Sequence, residues 1–166
     1  MAEIKTLIKA RTFQYKGLFD LKELYMTQDN WLKQRGYKKV EVESQEQTDP
    51  TGKSVSLHIL PYKKISDYAK IEIRMIMDCV NVTDVEVVKG GIKHRLKKGE
   101  IGFLFDAYLI TDYEHHYEST AVLYFLRTLL NKFVYRIYTS KWEDQTIRDC
   151  REFQDEIRSF LNMHRY

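Results

Sequence analysis

Two adjacent histidines among carboxylates and tyrosines make residues 111–120, TDYEHHYEST, the stretch of this sequence richest in groups that can do chemistry. Histidine and carboxylate side chains bind transition metals, and a histidine can also act as a general acid or base. The stretch therefore has three interpretations: a metal site, a catalytic centre, or a polar strand end. The secondary structure around this stretch decides among the three interpretations.

Strand geometry argues against a metal site. If a strand continues past Thr111, its side chains alternate between two faces, and Asp112 and His116 lie ~13 Å apart on one of them. Zn²⁺ needs three or four ligands at ~2.0–2.3 Å, so Asp112, Glu114 and His116 are not expected to share an ion. The sequence predicts no metal site here, and it predicts a solvated strand end for these three residues.

His115 has the opposite parity and shares a face with Tyr113 and Tyr117. That face continues the apolar face of the preceding strand, so His115 is expected at the edge of the core. The favoured interpretation is a half-buried histidine that is hydrogen-bonded to a backbone carbonyl or a tyrosine hydroxyl. The alternatives are that His115 orients a polar group of a ligand or acts as an acid–base.

Enzyme motifs are missing from the rest of the chain. The sequence contains no GxxxxGK[ST], no GxGxxG after a strand, no HExxH and no GxSxG, so enzymes of those classes are not expected. Cys79 and Cys150 lie far apart without a CxxC pair, which indicates neither a disulfide framework nor a zinc knuckle. No catalytic residue and no cofactor is assigned.

The composition indicates one folded domain, residues 1–166. Hydrophobic residues make up 43% and charged residues 31% of the chain, as in globular proteins. The net charge of +3 is spread evenly, unlike the basic stripe of a nucleic-acid-binding protein. The N-terminus lacks the apolar run of a signal peptide, and the most apolar window, residues 121–138, contains several polar centres. We expect no transmembrane segment and a cytoplasmic location.

The first part of the chain predicts a strand followed by one helix. Residues 3–16 alternate as a strand, and residues 17–36 have apolar side chains at helical spacing. Asp20 and Glu23 are placed as a capping box at the helix start, and Gly36 is placed to end the helix. The face expected to meet the core contains Leu21, Leu24, Tyr25, Gln28, Trp31 and Leu32.

Strand periodicity dominates the middle of the chain, where about six further strands are expected. Alternation runs from residue 37 through a turn at 49–52 to Pro61, and again over 67–80. Residues 85–88 lead into Gly90-Gly91, a hairpin signal, and residues 92–96 return to a predicted turn at 97–100. The last strand, from Ile101, places Phe103, Phe105, Ala107, Leu109 and Thr111 on one face.

The C-terminal third predicts helix, with one apolar stripe through Val122, Leu126, Leu129, Leu130, Phe133 and Ile137. Ser140 and Glu143 can form a capping box, so a second helix or a bend is expected to begin there. That segment has its own stripe of Ile147, Cys150, Phe153, Ile157, Phe160 and Leu161.

These elements predict an α+β fold in which a curved antiparallel sheet of about seven strands packs on a long C-terminal helical segment. Their order resembles the START-like, or helix-grip, superfamily over nearly the whole chain. The resemblance implies a sheet that wraps the terminal helix, although such proteins usually have two short helices after the first strand. The segments FLRTLLNKFVYRIY and FLNMHRY resemble stretches of archaeal proteins, which implies no function.

The leading hypothesis is non-enzymatic binding of an apolar or amphipathic small molecule in a cavity between the sheet and the C-terminal helix. The predicted lining is Met75, Met77, Phe103, Phe105, Leu109, Phe133 and Ile137, with Tyr113 and His115 as polar groups at the mouth. One alternative is an interaction module with a filled core that binds protein or nucleic acid. The other is an enzyme with His115 as acid–base.

Two charged features lie off this apolar face. Asp106 is expected to pair with a basic neighbour, such as Arg74, on the other face of the sheet. The hairpin concentrates the basic residues Lys93, Arg95, Lys97 and Lys98. Weak, non-specific contact with phosphates or anionic lipid headgroups is one interpretation. The favoured interpretation is a solvated hairpin whose charges keep an edge strand from pairing with another chain.

Overall fold

The structure is a computed structural model that describes residues 2–50, 52–113 and 136–163. The strands of the described part are β1 (Glu3–Phe19), β2 (Glu41–Asp49), β3 (Gly52–Ile59), β4 (Tyr62–Lys64), β5 (Ala69–Lys89) and β6 (Ile92–Thr111). The helices there are α1 (Leu21–Gln34) and α2 (Arg136–Met163).

The six strands form one antiparallel sheet that is not closed. The strand order is β1-β6-β5-β3-β2, and the short β4 pairs with β5 beyond the end of β3. The long strands β5 and β6 are therefore central, and β1 and β2 are the edges of the order. This arrangement places the predicted apolar faces of β5 and β6 side by side.

Each of the long strands β5 and β6 covers two strands that the sequence predicts as separate. The short β4 is an additional strand without a sequence prediction, so there are six described strands rather than about seven. β5 runs through residues 81–84, and β6 runs through the predicted turn at 97–100. The register shifts between Val80 and Thr83, opposite Gly99. A Cβ at Gly99 would lie 3.0 Å from the carbonyl oxygen of Val80. The glycine therefore permits a bulge and a close backbone approach instead of a turn.

The helix α1 begins after the predicted cap Asp20 and ends before Gly36, as predicted, but it does not include residues 17–19. The Asp20 carboxylate accepts hydrogen bonds from the backbone N–H groups of Lys22, at 2.9 Å, and Glu23, at 3.1 Å, which satisfies donors that a helix start leaves unpaired. Gly36 adopts a φ of +77°, the left-handed conformation that commonly ends a helix. Residues 17–19, predicted as helix, belong to β1.

The helix α2 runs without interruption through Ser140 and Glu143. Of the two predicted alternatives at Ser140, a second helix or a bend, the start of a second helix is therefore wrong. Its predicted stripe is largely confirmed, because Cys150, Phe153, Ile157, Phe160 and Leu161 are all buried. Residues 114–135, which include most of the first predicted stripe, lie outside the described part of the chain.

The buried side chains form one hydrophobic cluster between the sheet and the two helices. On β5, Ile71, Ile73, Met75, Met77 and Cys79 are buried as the alternation predicts. The ring centroids of Trp31 in α1 and Phe153 in α2 lie 4.7 Å apart, and Phe153 meets the edge of Phe105 in β6 at 5.9 Å. The fold is therefore α+β, with both helices on one face of the sheet. No helix among the described residues is long and apolar enough to span a membrane.

Candidate functional site

Five of the predicted ligand-lining residues lie next to one another on the covered face of the sheet. Met75 of β5 pairs in register with Phe105 of β6, and Met77 pairs with Phe103. Leu109 lies further along β6 on the same face, and all five side chains are buried. The strand alternation therefore brings these residues together as predicted.

Side chains from both helices and from the edge strand β1 contact this face. Phe153 of α2 lies against Phe105, and Phe13 of β1 stacks on Phe103 with ring centroids 4.6 Å apart. Gln28 of α1 points its amide Nε2 at the Met77 sulfur, 3.9 Å away. Thioether sulfur is only a weak acceptor, so this contact satisfies the amide poorly.

Two glutamines are the unexpected members of this interior. Gln28 and Gln154 are both fully buried. The Oε1 of Gln28, and both Nε2 and Oε1 of Gln154, have no hydrogen-bond partner among the described residues. A buried amide without a partner costs roughly 1–3 kcal/mol in protein mutational data. The interior therefore contains polar groups that the described part of the chain leaves unsatisfied.

Helical spacing locates Gln154 on the flank of α2 that faces β1. Glu143, Gln154 and Arg158 occupy this flank, at separations close to whole turns. Glu143 forms an ion pair of 2.7 Å with Lys5, and the Arg158 guanidinium lies 4.8 Å from the ring centroid of Phe13. Both partners belong to β1. The amide of Gln154 is thus enclosed near the β1 side of α2, and that of Gln28 lies over Met77.

Neither glutamine is among the site residues predicted from the sequence. The sequence predicts Gln28 on the core-facing side of α1, and this is confirmed. Gln154 directly follows Phe153 of the apolar stripe and is four residues beyond Cys150. A glutamine on the apolar face of a core-facing helix is the sequence signal that identifies both Gln28 and Gln154 as candidates.

The chain directly after Thr111 does not continue as the predicted strand. β6 ends at Thr111, and Asp112 has a φ of +56°, which breaks the strand alternation. Asp112 is buried rather than solvated, and its backbone N–H donates to the carbonyl of Tyr68 at 2.7 Å. The Tyr113 hydroxyl donates to the Ser66 carbonyl at 2.8 Å. The predicted solvated strand end is therefore wrong at Asp112.

Several predicted site residues lie outside the described part of the chain. They are His115, Phe133 and the side chain of Ile137, together with Glu114 and His116 of the histidine-containing stretch. Their roles stay predictions. Within the described residues, no three His, Cys, Asp or Glu side chains are grouped so as to hold a metal ion.

The basic hairpin residues face acidic partners across the hairpin. Lys93 and Arg95 share the Glu86 carboxylate, at 3.9 and 3.7 Å, and Lys97 forms a closer ion pair with Asp84. Lys98 is exposed. The cross-strand pairing follows from the register, which sets Glu86 opposite Arg95 and Asp84 opposite Lys97.

The predicted pair of Asp106 and Arg74 is confirmed on the other face of the sheet. The Arg74 Nε donates to Asp106 Oδ2 at 2.7 Å, and the register sets these two residues opposite each other. Asp106 Oδ1 also accepts from the backbone N–H of Ala10 at 2.6 Å. Ala10 has a φ of +49° within the irregular part of β1. The carboxylate therefore holds a bulge in the edge strand.

The two thiols are poorly suited to nucleophilic chemistry. Burial raises the pKa of Cys79 and that of Cys150 to about 12. The thiolate is the reactive form of cysteine, and it is scarcely populated at neutral pH at such values. Both cysteines are free and buried, which indicates a packing role.

Over the described residues, the fold and interior define an α+β protein whose antiparallel sheet is covered on one face by α1 and α2. No protein-family profile matches the chain, and no curated protein matches it.

Proposed function

We propose that the protein is a non-enzymatic binder of an apolar or amphipathic small molecule in the space between the sheet and α2. The observation that carries this proposal is the amide of Gln154, which is fully buried while both of its polar atoms lack a partner among the described residues. A primary amide presents both donors and an acceptor. A ligand with a complementary polar group would satisfy it.

The surroundings favour a ligand with a large apolar part. Binding sites for small molecules are mostly apolar, with a few polar groups that set orientation. Here the apolar surface is the face of Met75, Met77, Phe103, Phe105 and Leu109. The polar groups are the two glutamine amides. Tyr113, His115, Phe133 and Ile137 complete the proposed lining on the predictions from sequence.

The experiment is native mass spectrometry of the full-length chain purified from its own host, compared with the variant Gln154→Met. We expect the wild type to carry a small molecule and the variant to lose it. Because methionine has a similar length and no unpaired amide, the ligand-free variant should also unfold with a free energy about 1–3 kcal/mol higher than the ligand-free wild type.

The exposed residue Gln14 supplies a matched control. The variant Gln14→Met makes the same chemical change on β1 outside the interior, and it should retain the ligand with unchanged stability. A wild type without bound small molecule, or a Gln154→Met variant that keeps it, would refute the proposal.

A filled-core interaction module is the second candidate, and one observation favours it. The five lining residues belong to the same continuous cluster as Leu24, Leu32, Phe153 and Ile157. Protein interiors are close-packed, with few voids larger than one water. If packing is complete beneath α2, the protein acts through its surface.

We also propose that this protein is related to the START-like, or helix-grip, superfamily. The order of a first strand, a helix, an antiparallel sheet and a C-terminal helix supports it. The single helix α1 replaces the two short helices that are usual there.

A further inference from the structure

The distal hairpin, residues 85–96, extends beyond the rest of the sheet. β3 pairs with β5 only as far as Val82, and β1 pairs with β6 only as far as Lys97. Among the described strands, the remaining residues of β5 and β6 pair only with each other. They close at Gly90 and Gly91, whose φ values are +60° and +79°. Five residues per strand span roughly 15 Å, so the end of the hairpin lies beyond the neighbouring strands. Part of the hairpin, including Lys89 and Lys93, lines a cavity with Asp20 and Glu23 at the start of α1.

The end of this hairpin exposes apolar side chains. Val88 is 63% exposed and Ile92 is 64% exposed. The register pairs Val88 with Lys93, and Lys89 with Ile92. Each face of the hairpin end therefore presents one aliphatic side chain beside one lysine, next to the glycine turn.

The side chains of the hairpin and its base carry a net positive charge of their own. Residues 84–98 contain five basic and two acidic side chains, a net charge of +3 with His94 neutral. The two acids, Asp84 and Glu86, pair with Lys97, Lys93 and Arg95 and lie toward the base of the hairpin. The outermost residues, 87–93, contain two lysines and no acid.

We propose that the distal hairpin is a docking element for an anionic lipid bilayer surface. Exposed aliphatic side chains with adjacent lysines suit the interface, because the aliphatic groups enter the acyl boundary while the lysines reach lipid headgroups. Each lysine near an anionic surface strengthens binding about five-fold. Nucleic acid fits less well, since valine and isoleucine offer no ring for base stacking.

The experiment is co-sedimentation of the full chain with vesicles of phosphatidylcholine and phosphatidylserine at a 7:3 ratio, with pure phosphatidylcholine vesicles for comparison. We expect binding to the anionic vesicles only, and weaker binding as the salt concentration rises. The double variant Lys89→Gln with Lys93→Gln should lower the partition coefficient by about ten-fold or more.

The aliphatic side chains are tested separately. The double variant Val88→Asp with Ile92→Asp should abolish vesicle binding at an unchanged melting temperature, because both side chains are already exposed. The matched control is Val42→Asp, which replaces an exposed valine of β2 and should leave binding unchanged. In the variant Ile92→Trp, the added indole should show a blue-shifted emission with anionic vesicles.

Three results would overturn the proposal. The first is a wild type that does not bind the anionic vesicles at low salt. The second is equal binding by the Val88→Asp, Ile92→Asp double variant. The third is tighter binding to a 20-nucleotide RNA than to vesicles with the same dependence on Lys89 and Lys93, which would assign the hairpin to nucleic-acid phosphates instead.

Discussion

Tyr37 and Asp149 form a buried hydrogen bond that joins the segment after α1 to the middle of α2. The Tyr37 hydroxyl donates to Asp149 Oδ2 at 2.7 Å, and both side chains are buried. Trp31 and Phe153 stack beside this bond. The bond fixes the two helices relative to each other over the sheet, so it helps to define the interior in which Gln28 and Gln154 lie.

The first prediction concerns this bond. Tyr37→Phe should lower the free energy of unfolding by about 1–3 kcal/mol, because it leaves a buried carboxylate without its donor. Chemical denaturation measures the change. The control Tyr138→Phe, at an exposed residue, should be neutral. A double-mutant cycle with Asp149→Asn that shows no coupling would contradict the assigned role of the bond.

The second prediction concerns alkaline pH. Burial, and then Asp149, raise the pKa of Tyr37 well above its ordinary value of 10.0. Above about pH 10 the unfolded chain loses this proton while the folded protein keeps it, so stability falls as the pH rises, by up to about 1.4 kcal/mol per pH unit. Tyr25, whose pKa burial raises to about 12, adds to the fall. Tyr37→Phe should show a shallower decline between pH 9 and 11, whereas Tyr138→Phe should match the wild type.

The third prediction concerns Asp106, which is 2% exposed and serves two donors. Asp106→Ala should cost about 2–4 kcal/mol, because it leaves both the Ala10 N–H and the Arg74 guanidinium without their acceptor. Arg74→Ala should cost less, since that side chain is 38% exposed. Hydrogen exchange at Ala10 should accelerate only in the Asp106 variant. Equal costs for the two variants would mean that the bulge does not depend on the carboxylate.

The fourth prediction concerns the start of α1. Asp20→Ala should lower stability by about 1 kcal/mol through loss of the helix cap, as measured by thermal or chemical unfolding. Asp20→Asn is the matched control, because asparagine caps helices equally well, and it should be close to neutral. A similar loss in both variants would point to charge rather than capping.

The fifth prediction separates the two candidate functions. If a ligand cavity lies beneath α2, Met75→Trp should displace the co-purifying molecule with little change in melting temperature. If the core is filled, the same substitution overpacks it and costs roughly 1–3 kcal/mol. Met75 is fully buried, so the new side chain cannot escape to solvent. A large stability loss without any bound molecule would leave the interaction module as the better proposal.

The sequence by itself determined the features that depend on residues close together in the chain. Strand alternation identified the buried faces of β5 and β6, and the capping residue Asp20 with Gly36 located the ends of α1, because caps and side-chain parity depend on near neighbours alone. Even the Arg74–Asp106 pair could be predicted, since its residues lie on the same face of adjacent strands. The α+β class followed from these elements.

Only the tertiary structure decided the features that depend on long-range contacts. Gly99 supports a bulge rather than a turn because Asn81 and Val82 lie across from it, and Ser140 continues a helix that its local capping signal would start. Asp112 is buried because the chain turns at that residue and its backbone bonds to Tyr68. The Oε1 of Gln28 and the amide of Gln154 have no partner among the described residues, and this depends on every element packed around them. No periodicity in the sequence could show it.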